Sequence, residues 1–175
     1  MSDEPKGREL WLLAGQDLLR RGGIGAVKLQ ALTDELQLTT GSFYHHFSGM
    51  AEYLDALARY YGREQVENHI ASITAEDPRV RLRRLGAISR DERMAPLDAA
   101  MRDWAGSNEL AAEAVAQADE LLLRYIARAF EDLGYGRKDA RVRALLLFSA
   151  GVARIHPPWR LGARAMDDAL AVLAP

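Results

Sequence analysis

The sequence contains no cysteine, which removes disulfides, thiolate metal sites and cysteine nucleophiles together. That fits a reducing compartment and argues against redox chemistry. No segment approaches the roughly 18 uninterrupted apolar residues that a membrane span requires. The chain begins Met1-Ser2-Asp3-Glu4, acidic where a signal peptide is basic. The expectation is a soluble, cytoplasmic protein with no membrane partner. An excess of positive charge is missing too: residues 1–55 hold five Lys/Arg against eight Asp/Glu. Phosphate binding usually leaves a basic footprint, so composition by itself does not suggest DNA. Also missing are a G-x-S-x-G turn, a phosphate loop and a pair of metal ligands at helical spacing. Nothing gives a Ser, His or Asp an activated role, so no catalytic residue, cofactor or metal is expected.

What is present is apolar and helical. At 175 residues and 49% hydrophobic content the chain can build one or two domains with a real core. Gly and Pro punctuate it at Gly22-Gly23, Gly25, Gly41, Gly49, Pro78, Pro96, Gly106, Gly134, Gly136 and Pro157-Pro158. These marks predict an all-α fold of about nine helices and no strand. Leu10, Leu13, Ala14 and Leu18 recur at helical spacing and predict a first helix over 5–21. Leu29, Leu32 and Leu36 predict a short second one. Thr39 can cap a third, carrying Phe43, Tyr44 and Phe47, and a fourth starts near Met50 and runs long. The rest reads as helices from Pro78 to Arg90, Glu92 to Ala105, Asn108 to Leu133, Lys138 to Ile155 and Trp159 to Leu173. The only plausible boundary lies inside the fourth helix, which gives an N-terminal domain over 1–50 and a second over 51–175.

The stretch from Val27 to Leu54 carries the functional signal. Two short helices joined by a tight turn, the second opening on small polar residues, can insert side chains into a DNA major groove. Thr39, Thr40 and Ser42 would face base edges, where a hydroxyl can donate or accept, and Gly41 lets the backbone come close. Tyr44, His45 and His46 would lie along the sugar-phosphate strands. Phe43 and Phe47, four apart on the other face, would anchor the helix. Thr and Ser also cap helices for reasons unrelated to DNA, so this spacing does not by itself decide the matter. His45 and His46 do not suggest a metal, since helical neighbours point about 100° apart and cannot share one ion. His69 and His156 stand singly.

The run Leu38-Thr39-Thr40-Gly41-Ser42-Phe43-Tyr44-His45-His46-Phe47 resembles the recognition helix of the TetR family of repressors. Upstream, Leu10, Ala14, Leu18 and Gly22 resemble that family's first helix, and Leu29 and Leu32 its second. The close resemblance covers about 50 residues. Met101-Arg102-Asp103-Trp104-Ala105 and Asp119 resemble one subgroup of the family's ligand-binding domains far more loosely. The resemblance implies a transcriptional repressor released from its operator by a small molecule. It implies base contacts from Thr40 and Ser42, backbone contacts from Thr39, Tyr44, His45 and His46, and a phosphate contact from Lys28. Three departures stand out. The family's turn Gly is Gln37 here, its small residue in the second helix is Thr33, with one Gly added at Gly22-Gly23, and the basic residue expected at the start of the fourth helix is Met50.

The C-terminal two-thirds is expected to hold the ligand pocket and the dimer contacts. Tyr60, Tyr61, Met101, Trp104, Tyr125 and Phe148 are large enough to line a pocket, although each could equally be plain core. The arginines between Arg79 and Arg93 read as a solvated face. The run Ala144-Leu145-Leu146-Leu147-Phe148 is apolar on every face of its helix, so more than one side needs cover. The last two helices, with Ala144, Phe148, Gly151, Trp159, Met166 and Leu170, would pair across a two-fold axis. The operator would then be a near-palindromic duplex. Against this stands a degenerate family member that dimerises without specific DNA binding, the reading that Met50 and the acidic first segment favour.

Overall fold

The computed structural model describes residues 7–152 and 165–174, and every regular element among them is helical. They are α1 (Gly7–Gly22), α2 (Leu29–Leu36), α3 (Thr40–His46), α4 (Met50–Arg59), α5 (Val66–Ser72), α6 (Pro78–Ser89), α7 (Met94–Ala105), α8 (Glu109–Asp132), α9 (Arg137–Val152) and α10 (Ala165–Leu173). A 3-10 turn at Ile24–Ala26 follows α1. Between α4 and α5 the chain stays helical but widens into a π turn at Tyr60–Gln65. With the run from Met50 to Ser72 taken as one helix, the described residues hold the nine that the punctuation predicted.

The chain gathers into two compact units. One takes in the chain up to Gln65 together with Glu92–Ala118, the other Val66–Asp91 and the chain from Asp119 onward.

In the first unit α1 is the central element, packed against α2, α3, α4 and α7. Being covered on several sides shifts its buried stripe away from the one the leucine spacing suggests. Trp11, Leu12, Ala14, Gly15, Gln16 and Leu19 are buried, while Leu10, Leu13 and Leu18 are only half-buried. Gln16 tolerates its burial because its side-chain amide donates to Gln65 Oε1 at 2.9 Å. Gly23 ends the α1 segment at φ 66°, a conformation that costs glycine little.

The second unit has its own core. Leu82 and Leu85 of α6, Ile126, Ala129 and Phe130 of α8, Ala140, Ala144 and Leu147 of α9, and Leu170 of α10 pack together. The Arg81 guanidinium meets Asp132 at 2.5 Å across that cluster's edge. Of the arginine run, Arg81 is therefore committed to an ion pair, and in the first unit Arg93 reaches Asp17 at 3.0 Å.

α9 is buried along Ala140, Ala144 and Leu147 but exposed at Val142, Leu145 and Leu146, each more than half open. The apolar run from Ala144 to Phe148 thus has one side packed in the core and another left exposed among the described residues.

Candidate nucleic-acid interface

The helix pair α2–α3 is built from local rules. Leu32 is buried, and Thr33 beside it satisfies its hydroxyl by donating to Gln30 O at 2.8 Å. A Thr can therefore stand in the core where a smaller residue is the expected choice. α2 ends at Gln37, which adopts the left-handed conformation at φ 53° and ψ 37°. That costs a non-glycine residue about 1–2 kcal/mol. Three bonds offset it: Gln37 N and its side-chain amide both donate to Asp34 O, at 3.4 and 2.7 Å, and Leu38 N donates to Thr33 O at 3.1 Å. The turn keeps a helical C-cap without its glycine.

α3 then opens on Thr39, whose hydroxyl oxygen accepts from Ser42 N at 3.2 Å. The cap fixes the exit angle of the first turn. Phe43 and Phe47 point inward and are essentially inaccessible. Phe43 meets the rings of Trp11, Phe47 and Tyr53 at centroid distances of 5.3 to 5.5 Å. Tyr53 completes the cluster by donating its hydroxyl to Trp11 O at 2.7 Å, and burial pushes its phenol well above the ordinary range, so it remains a donor.

With that side anchored, the other side of α3 faces out. Thr39, Thr40, Gly41, Tyr44 and His45 are exposed, Ser42 and His46 half-buried, and Tyr44 keeps 57% of its surface open. A Cβ at Gly41 would meet only Thr39 Oγ1, at an ordinary 3.6 Å. Nothing inside the chain therefore requires glycine there. Lys28 is exposed at the N-cap of α2. All eight residues singled out for DNA contact are thus carried on the α2–α3 segment.

At the junction of α3 and α4, Glu52 accepts from both the backbone N–H and the hydroxyl of Ser48, each at 2.7 Å. The Ser48 N–H, then its hydroxyl, then the positive charge of Arg8 hold that carboxylate below its usual range. Arg8 itself lies with its guanidinium 4.8 Å from the centroid of the Phe47 ring. Spacing arguments gave no reason to single it out.

Four of the residues considered for ligand contact fall in the first unit. Tyr60 and Tyr61 sit on the π turn, Met101 and Trp104 on α7, and all four are buried. Tyr60 donates to Glu9 at 2.9 Å, and burial together with that carboxylate pushes its phenol up to about 12. Tyr61 donates to Asp98 at 2.7 Å, which also accepts from Arg102 at 2.9 Å. Within the π turn the backbone at Gly62 approaches α8 closely, where a Cβ would fall 2.7 Å from Ala114 O and 2.8 Å from Ala114 Cα. Tyr125 and Phe148 fall in the second unit, half-buried against its core.

Of the residues considered for a dimer contact, Ala144 and Leu170 are buried in the second unit's own core, Phe148 is half-buried and Gly151 exposed. Trp159, the Met166 side chain and His156 lie outside the described residues. No group of three or more His, Asp or Glu suited to a metal ion occurs among the described residues. No described helix is long and apolar enough to cross a membrane.

Residues 12–57 match the family model for bacterial regulatory proteins of the tetR family. No curated protein gives a significant match. Among solved structures, a transcriptional regulator from Streptomyces coelicolor A3(2) is similar at 17% identity over 97% of this chain and 99% of its own, with a TM-score of 0.69. A tetR-family transcriptional regulator from Agrobacterium tumefaciens is similar at 19% identity over 95% of each chain, with a TM-score of 0.67. The reduced form of NemR from E. coli is similar at 18% identity over 96% of this chain and 95% of its own, with a TM-score of 0.65. At these identities the likeness is one of fold.

Proposed function

We propose, from the match of residues 12–57 to the family model for bacterial regulatory proteins of the tetR family, that this chain is a repressor that leaves its operator when a small molecule binds. The observation that carries the reading is the division of α3 into two faces. Phe43 and Phe47 hold it from behind while Thr39, Thr40, Gly41, Tyr44 and His45 stand exposed in front. In the proposed complex Thr40 and Ser42 meet base edges, and Lys28, Thr39, Tyr44, His45 and His46 meet the backbone. Residues 1–50 form the DNA-binding part and 51–175 the ligand-binding and dimerising part of a cytoplasmic protein. The exposed Val142, Leu145 and Leu146 of α9 support a second copy as the cover for that side. A two-fold dimer reads a near-palindromic duplex.

The test is a mobility shift with the DNA immediately upstream of the protein's own coding sequence. Wild-type chain is expected to bind as two copies per duplex, and Tyr44→Ala to lose about 1–3 kcal/mol of affinity with an unchanged helical signal. No salt-sensitive shift for the wild type would leave the reading of a dimer without specific DNA binding. Unchanged affinity for Tyr44→Ala would remove α3 as the reading helix.

The proposed effector acts through residues that one unit already ties together. Tyr60 and Tyr61 stand beside Glu9 of α1 and Asp98 of α7, and α1 packs directly on α3. A ligand displacing either tyrosine shifts the element on which the reading helix rests. Linkage then requires that any compound weakening operator binding lose its own affinity by the same factor when operator is present. Equal calorimetric affinities with and without operator would overturn the coupling.

A further inference from the structure

The start of α4 carries Met50 and no cation, and the first 55 residues are acidic. If this face meets DNA, the positive charge has to come from somewhere else. Among the described residues up to Asp55 there are four cations besides histidine: Arg8, Arg20, Arg21 and Lys28. Two of them are spoken for. Arg20 pairs with Asp17, and Arg21 reaches Glu35 at 2.5 Å. Lys28 stands at the start of α2.

Arg8 is different in kind. It is exposed, and among the described residues what it rests on is a ring rather than a carboxylate, its guanidinium 4.8 Å from the Phe47 centroid. Phe47 is the C-cap of α3, two residues before the N-cap of α4. Gly7, its neighbour in the chain, lies so close to His46 that a Cβ would fall 2.9 Å from the imidazole Cε1. The first turn of α1 therefore lies against the end of the reading helix. The nearby Glu52 carboxylate accepts both the Ser48 N–H and its hydroxyl through Oε2 and so caps its own helix, and among the described residues Arg8 makes no ion pair with it. Stacking on an aromatic face also limits the rotamer freedom that a long side chain would otherwise lose on meeting a phosphate.

We propose that Arg8 supplies the phosphate contact that position 50 lacks, presented from the α3–α4 junction by the Phe47 ring. Residue 8 lies outside the segment that matches the family model, 12–57. The proposal rests on the DNA-binding reading above.

Its signature is salt dependence. One phosphate neutralised adds about 0.9 to the slope of log affinity against log salt. With two copies per duplex Arg8 neutralises two phosphates, so between 50 and 200 mM salt wild type is expected to lose about twelvefold more affinity than Arg8→Gln. The deficit of Arg8→Gln at 50 mM should be the same on the upstream duplex and on a random-sequence duplex of equal length, since a phosphate carries no sequence information. Arg8→Lys should keep the slope, and thermal denaturation should give all three the same folded baseline at the assay temperature. An unchanged slope for Arg8→Gln beside a weakened Tyr44→Ala would overturn the role of Arg8 and leave α3 as the reading helix. Wild type binding neither duplex at 50 mM salt would overturn both readings together. A deficit confined to the upstream duplex would also overturn it, as base contact rather than phosphate contact.

Discussion

Gly15→Ala is expected to destabilise the first unit by about 2–4 kcal/mol, although alanine favours a helix over glycine by about 1 kcal/mol. The reason is a buried crossing of two helices. A Cβ on Gly15 would fall 1.9 Å from the Tyr53 hydroxyl, 3.0 Å from its Cζ and 3.3 Å from Leu57 Cδ1. Tyr53 cannot step aside without breaking its bond to Trp11 O, and its ring is packed edge-on against Phe47. Overpacking and the lost buried bond therefore outweigh the gain in propensity. The account makes a sharper demand of the double variant. Tyr53→Phe alone should cost about 1 kcal/mol, yet Gly15→Ala with Tyr53→Phe should be more stable than Gly15→Ala by itself, because the oxygen that clashes is gone. Urea denaturation followed by circular dichroism measures all three, and simple additivity would refute the clash.

Phe43→Ala should cost about 3–5 kcal/mol of stability, the range for emptying a fully buried aromatic site. Phe43 has no exposed surface and touches Trp11 of α1, Phe47 at the end of α3 and Tyr53 of α4. Its loss removes the side of the cluster on which α3 rests. Operator affinity and thermal stability should fall together. Tyr44 is the next residue along, and its ring meets that of Phe43 at 5.5 Å while 57% of it stays open. Its replacement should therefore separate the two measurements, weakening binding with little change in the melting curve. A Phe43→Ala chain that melts like wild type would show that the aromatic cluster does not hold the reading helix.

The contrast between these neighbours was legible in the sequence, because a helix of 3.6 residues per turn puts Phe43 and Phe47 on one side and Tyr44 on another. Thr39 as a cap was legible for the same kind of reason, since the bond it makes spans three residues. At Gln37 the sequence left open whether the turn would be left-handed or reshaped, and the structure has it left-handed. The buried side of α1 was not legible. Helical spacing pointed to Leu10, Leu13, Ala14 and Leu18, of which only Ala14 is buried, because a helix covered on several sides buries whatever its neighbours reach, including Gln16. Gln16 needed Gln65, 49 positions away, to be tolerable inside.

By itself the sequence determined the helices, the Thr39 cap and the order of residues on α3, because each depends on groups within four or five positions of one another. Tertiary structure alone decided what lies across a helix crossing. It brought Tyr53 to Trp11 and so made Gly15 indispensable, and Gly62 to Ala114 where the helix widens. It also carried Arg8 from the start of the chain to the ring of Phe47. Such contacts join residues about 40 to 50 positions apart, and periodicity along one helix contains no information about which partner will arrive opposite it.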